Sequence, residues 1–135
     1  MKVFIDSNLL IYLNALKSPQ KRIEYEDFYL ILLSNRKAYS DVLVLDELIY
    51  ISKKKYNVPY KITIEFVESL VLPYVEILPL SEKDYQKAVE ILNTYSIKPS
   101  DALHTAVMIL NNISRIASED KELDNVKEIE RVWFT

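Results

Sequence analysis

Apolar residues recur along this chain in two alternating rhythms. Val3, Phe4 and Ile5 form a short continuous run, predicting a buried strand over residues 2–5. Leu9, Leu10, Tyr12, Leu13 and Leu16 follow at helical spacing and predict a first helix over about 8–17, ended by Ser18-Pro19. A second helix is expected over about 20–35, with Ile23, Phe28, Leu30, Ile31 and Leu33 as its apolar set. Lys37 to Ser40 predicts a short second strand, after which Ser40 caps a third helix over about 41–55. Past the Asn57-Val58-Pro59 break, a fourth helix over about 60–72 carries Ile62, Ile64, Phe66, Val67, Leu70 and Val71, more than one core-facing stripe needs.

The second half continues the alternation. Tyr74 to Leu78 predicts a third strand, closed by Pro79. Ser81-Glu82-Lys83-Asp84, close to a capping box, opens a fifth helix to about Tyr95. Pro99-Ser100-Asp101 opens a sixth, to about Asn111. Ile113 to Ser118 predicts a fourth strand, Asp120 to Asp124 a turn or short helical piece, and Glu130 to Phe134 a last strand. Strands alternating with helices predict an α/β fold: a doubly wound, mostly parallel sheet of about five strands with helices on both faces. No linker or repeat interrupts residues 1–135, so a single domain is expected.

Composition then removes whole classes of chemistry. Cysteine is absent, so there is neither a disulfide framework nor a thiolate metal site, and a cytoplasmic location is expected. The chain starts almost directly with a strand, so no signal peptide is expected. No apolar run approaches the roughly 20 residues that span a membrane. Glycine is also absent, which excludes Gly-rich phosphate loops and dinucleotide fingerprints. Any positive-φ turn must then use Asn or Asp. The net charge of −3 supplies no bulk basic field, so a nucleic-acid contact must be local or carried by a metal ion.

Four acids stand out by position. Asp6 ends the first strand, at the carboxyl edge where open α/β sheets bind ligands. Glu47 lies on or beside the apolar face of the third helix, among Leu43, Val44, Leu48 and Ile51, where an unpaired carboxylate costs several kcal/mol. Asp101 sits in the first turn of the sixth helix, and Asp120 follows the fourth strand. Helix capping explains Asp6, Asp101 or Asp120 taken singly. Jointly, the fold can bring all four to one cleft, where their repulsion raises their pKa values unless a cation is bound. Hard oxygen ligands without His or Cys select Mg²⁺ or Mn²⁺, and such sites are typical of phosphoryl transfer.

On these stretches the chain resembles the PIN-domain ribonucleases, most of all the VapC-type toxins of prokaryotic toxin–antitoxin pairs. The matching stretches are Val3-Phe4-Ile5-Asp6-Ser7-Asn8, Leu45-Asp46-Glu47-Leu48-Ile49-Tyr50, Lys98-Pro99-Ser100-Asp101-Ala102-Leu103-His104 and Ser118-Glu119-Asp120-Lys121-Glu122-Leu123-Asp124. Each is weak alone; their order and spacing together are specific and extend over essentially the whole chain. The resemblance implies Mg²⁺-dependent cleavage of single-stranded or looped RNA by Asp6, Glu47, Asp101 and Asp120, which serve as metal ligands. It also implies a cognate antitoxin, and it agrees with the excess apolar residues of the fourth helix and its flanks, Ile62 to Val75, which predict a homodimer with at least part of the third and fourth helices near the interface. Ser7, Asn8, Ser118, Asp124 and His104 are the candidates for orienting that set. Ser118 stands where the family usually has Thr, which keeps the hydroxyl, and Leu123 replaces a common Phe.

Other features have two readings. His104, the only histidine, is either a structural support or a general base. Lys53-Lys54-Lys55 either complements the helix dipole or touches an RNA backbone. The ten tyrosines either stack on bases or line the core edge. A non-catalytic scaffold that binds RNA or protein is the alternative function. A phosphoacceptor receiver domain, also doubly wound, fits poorly because it requires paired acids after the first strand and a lysine after the last.

Overall fold

A parallel strand in the middle of a sheet must be covered on both faces. Val3, Phe4 and Ile5 of β1 (Lys2–Ile5) are all completely buried, as that rule requires. The structure, a computed structural model, describes residues 1–135. After β1 come α1 (Ser7–Ala15), α2 (Pro19–Asn35), β2 (Lys37–Asp41), α3 (Val42–Tyr56) and α4 (Tyr60–Phe66). A π-helical stretch, Val67–Val71, extends α4. Then follow β3 (Val75–Leu78), α5 (Glu82–Thr94), α6 (Pro99–Leu110), β4 (Arg115–Ala117), a 3₁₀ turn (Lys121–Asn125) and β5 (Glu130–Val132).

All neighbouring strands are parallel, in the order β3-β2-β1-β4-β5. The chain winds outward from β1 in one direction and resumes on its other side at β4. The order therefore reverses between β1 and β4, the place where doubly wound sheets bind ligands. The register pairs Ile5 with Ala117, so both strands end level, and Asp6 N–H extends the ladder to Ala117 C=O at 3.0 Å. The helices form two packed groups: α1 contacts α2 and α3, α3 contacts α4, and α5 contacts α6. Ala88, Ile91, Ala102 and Ala106 make a small core between α5 and α6, whose small residues let the two helices approach closely.

Several expected boundaries move. Strand β2 runs one residue further than its apolar pattern suggests, so Asp41 rather than Ser40 caps α3, accepting the Val44 N–H at 2.9 Å. Ser40 instead donates to Ile5 C=O of the neighbouring strand at 2.8 Å. The last two strands are shorter than expected, with three residues each. Both positive-φ residues, Asn57 and Asn112, are asparagines, as the absence of glycine demands. The apolar set of α2 is not all core: Phe28, Tyr29 and Leu32 are buried, whereas Ile23, Leu30 and Ile31 are exposed.

The fourth helix shows one buried edge, Thr63, Val67 and Val71, spaced four apart. Phe66 packs partly against the core, whereas Ile62, Ile64, Leu70 and Leu72 stay 44–49% exposed, so the same chain covers only about half of each. Between α2 and this helix lies a groove of about 660 Å³ lined by Leu13, Ile23, Leu30, Leu33, Phe66 and Leu70 among others. No helix is long and apolar enough to cross a membrane.

Candidate metal centre

The reversal point of the sheet gathers the acids. Asp6 leaves the end of β1 and is 5% exposed. Its Oδ1 accepts the Ser7 N–H at 2.8 Å, capping α1, and its Oδ2 accepts the Ser118 hydroxyl at 2.6 Å. A carboxylate offers about four lone-pair positions, so capping leaves room for a further ligand on each oxygen. The capping and metal-ligand readings of Asp6 are thus compatible.

Ser118 is the hub that ties the two strand ends together. While donating to Asp6, its Oγ accepts from Asn8 Nδ2 and from Asp120 N–H, both at 3.1 Å. Asn8 Oδ1 in turn accepts Glu119 N–H at 3.3 Å. Asp120 caps the following 3₁₀ turn through Glu122 N–H at 3.0 Å. Ser7 contributes only its backbone N–H to this network.

Two carboxylate groups result. Oxygens of Asp101, Asp120 and Glu122 lie within 4.8 Å of one another, as do ligand atoms of Asp6, Glu47 and His104. The groups adjoin, because the charges of Asp6 and Asp120 both act on Asp101. Burial, and then the negative charges of Asp6 and Asp120, push the Asp101 carboxyl up to about 7. Burial also raises Asp6, against the pull of His104 and the Ser118 hydrogen bond. Asp101 Oδ2 is buried with no hydrogen-bond partner, one of two such side-chain atoms in the chain, the other being Arg36 Nη1. Unlike Asp6, Asp101 is not spent on capping, since α6 is entered through Lys98 with no side-chain cap. An unpartnered buried oxygen among hard oxygen donors suits a divalent cation such as Mg²⁺ or Mn²⁺.

His104 is 1% exposed, one turn along α6 from Asp101. Its Nδ1 lies 2.7 Å from Asp41 Oδ2 and its Nε2 lies 2.9 Å from Glu47 Oε1. Ionised carboxylates only accept, so each ring nitrogen donates and the ring is an imidazolium. Burial opposes that charge, but the hydrogen bonds to Asp41 and Glu47 outweigh it and raise the His104 pKa to about 10. The ring is thereby committed at both nitrogens. A general base at His104 does not fit this geometry, and neither does a metal ligand, despite its closeness to Asp6 and Glu47.

The structure brings Asp6, Glu47, Asp101 and Asp120 to this end of the sheet, together with Asp41 and Glu122, which the sequence pattern does not single out. Asp124 stands apart from both groups: its carboxylate holds Arg131 at 3.0 and 3.2 Å, and Arg131 Nη1 donates to Ser118 C=O at 3.1 Å. Lys53, Lys54 and Lys55 are exposed in the last turn of α3, with Lys54 over the Tyr50 ring and Lys55 over Tyr56. Tyr12 donates to Glu119, next to Asp120, and packs against Tyr25 with ring centroids 4.7 Å apart.

A family model described as PIN domain matches residues 3–129. A VapC ribonuclease of Mycobacterium bovis and ribonuclease VapC13 of Mycobacterium tuberculosis are each 28% identical to this chain over 134 residues. Each alignment covers 96% of this chain and 98% of the relative. Among solved structures, the sarcin–ricin-loop-cleaving toxin VapC20 of Mycobacterium tuberculosis shares the fold with a TM-score of 0.73 and 13% identity, over 90% of this chain and 92% of its own. VapBC2 of Rickettsia felis, bound to a promoter DNA fragment, gives a TM-score of 0.72 and 18% identity over 98% of both chains.

Proposed function

The chain belongs to the PIN-domain family, and from that premise we propose that it is a cytoplasmic Mg²⁺-dependent endoribonuclease, the toxin of a toxin–antitoxin pair. Residues 1–135 form one PIN-like domain with Asp6, Glu47, Asp101 and Asp120 as the working acids. The observation that carries this reading is the unpartnered, buried Oδ2 of Asp101 within a cluster of carboxylates in which burial raises the pKa of both Asp101 and Asp6. Without a cation this arrangement is strained electrostatically; with one it is satisfied. The ribonuclease names of the two full-length relatives point to RNA as the substrate.

Asp6, Asp101 and Asp120 are the residues that would hold the ion, with Glu47 beside Asp6. Such an ion supplies positive charge at the scissile phosphate and a water of lowered pKa. The chain's own part is to hold the acids still. Ser118 and Ser7 fix both oxygens of Asp6, and the Asp120 side chain is fixed by its own cap. Burial and the neighbouring charges raise Asp101 to about 7, so a bound cation would favour its ionised form. Mn²⁺ should substitute for Mg²⁺, since the donors are all oxygen.

Solved relatives of this fold include VapBC and other toxin–antitoxin complexes. A protein antitoxin and a second copy of this chain are the partners we propose for the exposed apolar surface of α2, α3 and α4. Incubating the protein with a generic structured RNA, with Mg²⁺ or with a chelator, tests the function. Cleavage only with the metal is expected. RNA that stays intact under both conditions, but is bound, would support the scaffold alternative instead.

A further inference from the structure

Asp41 is completely buried, yet it belongs to neither carboxylate group. Its two oxygens have two tasks. Oδ1 caps α3, the helix that carries Glu47, and Oδ2 receives Nδ1 of His104 on α6. The opposite edge of the ring meets Glu47. A glutamate has three side-chain torsions, and this one is 27% exposed beside the like charge of Asp6. Left alone, it would swing toward solvent, where both hydration and repulsion favour it.

We propose that Asp41 and His104 are positioning residues of the metal centre: Asp41 anchors the imidazole, and the imidazole holds the Glu47 carboxylate against Asp6. The inference rests on the nuclease reading above. It assigns the buried histidine a role in which neither ring nitrogen touches metal, water or substrate. The logic matches that of carboxylate–histidine pairs around metal sites, where the outer partner sets the orientation of the inner group. Here the order is reversed, because the histidine is the intermediary and a carboxylate is the group being aimed. The bridge also joins the end of β2 and the body of α3 to α6, which carries Asp101, so both acids are located by one side chain.

Two substitutions at His104 separate aiming from packing. The amide nitrogen of Gln reaches about as far as Nε2 and can still donate to Glu47, whereas that of Asn reaches about as far as Nδ1 and can satisfy only Asp41. Both variants are read well below their melting temperatures by Mn²⁺ calorimetry and by RNA cleavage. His104→Asn should weaken Mn²⁺ binding and lower kcat by about 10–100-fold, the usual effect of losing such a partner, with KM for RNA unchanged. His104→Gln should recover most of both. Asp41→Ser, which keeps a helix cap but is too short to reach the ring, should lose activity and Mn²⁺ affinity in the same way as His104→Asn. A folded His104→Asn or Asp41→Ser with wild-type Mn²⁺ affinity and kcat overturns the positioning role. A wild-type protein that binds Mn²⁺ but never cleaves RNA refutes the nuclease reading instead, and the Mn²⁺ arm still reads Glu47 placement.

Discussion

The hydroxyl of Ser118 donates to Asp6 Oδ2 at 2.6 Å and joins residues 112 positions apart in the chain. The same oxygen accepts from Asn8 and from the Asp120 N–H, so a single atom sets the spacing between two of the proposed acids. Ser118→Ala removes that atom from a completely buried site and leaves the Asn8 amide and the Asp120 N–H without this partner. Mn²⁺ affinity and RNA cleavage should each fall about 10–100-fold, while Ser118→Thr, which keeps the hydroxyl, should retain most of both. Calorimetry and cleavage assays on the two variants check this; an active, metal-binding alanine variant would remove Ser118 from the site.

Stability of the metal-free protein should decline as pH rises from about 5 to 8, a range covered by the Asp101 window, from 3.8 to about 7, together with the start of the His104 window above 6.5. Asp101, raised to about 7 in the fold, binds its proton more tightly there than in the unfolded chain. The folded state therefore holds more protons across that window, and stability falls with pH. His104 acts in the same sense: its stabilisation is complete below the ordinary histidine value and is lost toward about 10. Asp101→Asn should raise the melting temperature at pH 8 in the absence of metal and flatten the slope. A melting temperature that climbs from pH 5 to 8 would contradict the assigned shifts.

Adding Mg²⁺ or Mn²⁺ should raise the melting temperature by a few degrees at millimolar concentration, because a ligand of the folded state alone stabilises it by mass action. The effect should vanish in Asp6→Asn and Asp101→Asn. No shift in the wild-type protein at about 10 mM Mn²⁺ would argue for a non-catalytic scaffold.

The order of strands and helices was legible because each element carries a clear period; Asp6, Asp101 and Asp120 drew notice by sitting at element ends, and Glu47 by lying within the apolar face of α3. Asp41 was not. A difference of one residue in the end of β2 moved the cap from Ser40 to Asp41, and element ends are the least determined part of any pattern. The partner of Asp41, His104, lies 63 residues away, so no local signal links the two. Glu47 was recognisable as a carboxylate that needed a partner, but the partner's identity depends on how α3 and α6 meet. On α2, Ile23 and Leu30 read as core because apolar spacing cannot distinguish a face turned inward from one turned to an open groove, and Ile31 is simply exposed.

That groove and the outer face of the fourth helix lead to an association prediction. Ile62, Ile64, Leu70 and Leu72 are nearly half exposed on one short stretch, a surface that in isolation favours self-association. The protein should sediment as a homodimer at about 100 μM. Substituting Glu for Ile64 or Leu70 should shift it toward monomer without lowering Mn²⁺ affinity. A wild-type monomer at that concentration would rule out a stable apolar dimer interface.

Central to the account is that the buried carboxylate of Asp101 works as a metal ligand in RNA cleavage. Single-turnover cleavage by Asp101→Asn at saturating Mg²⁺, alongside its metal-free melting temperature, tests this most directly. The account predicts that cleavage is lost while the fold remains at least as stable as the wild type, since a like charge has been removed. Wild-type cleavage rates in a folded Asp101→Asn protein would contradict it.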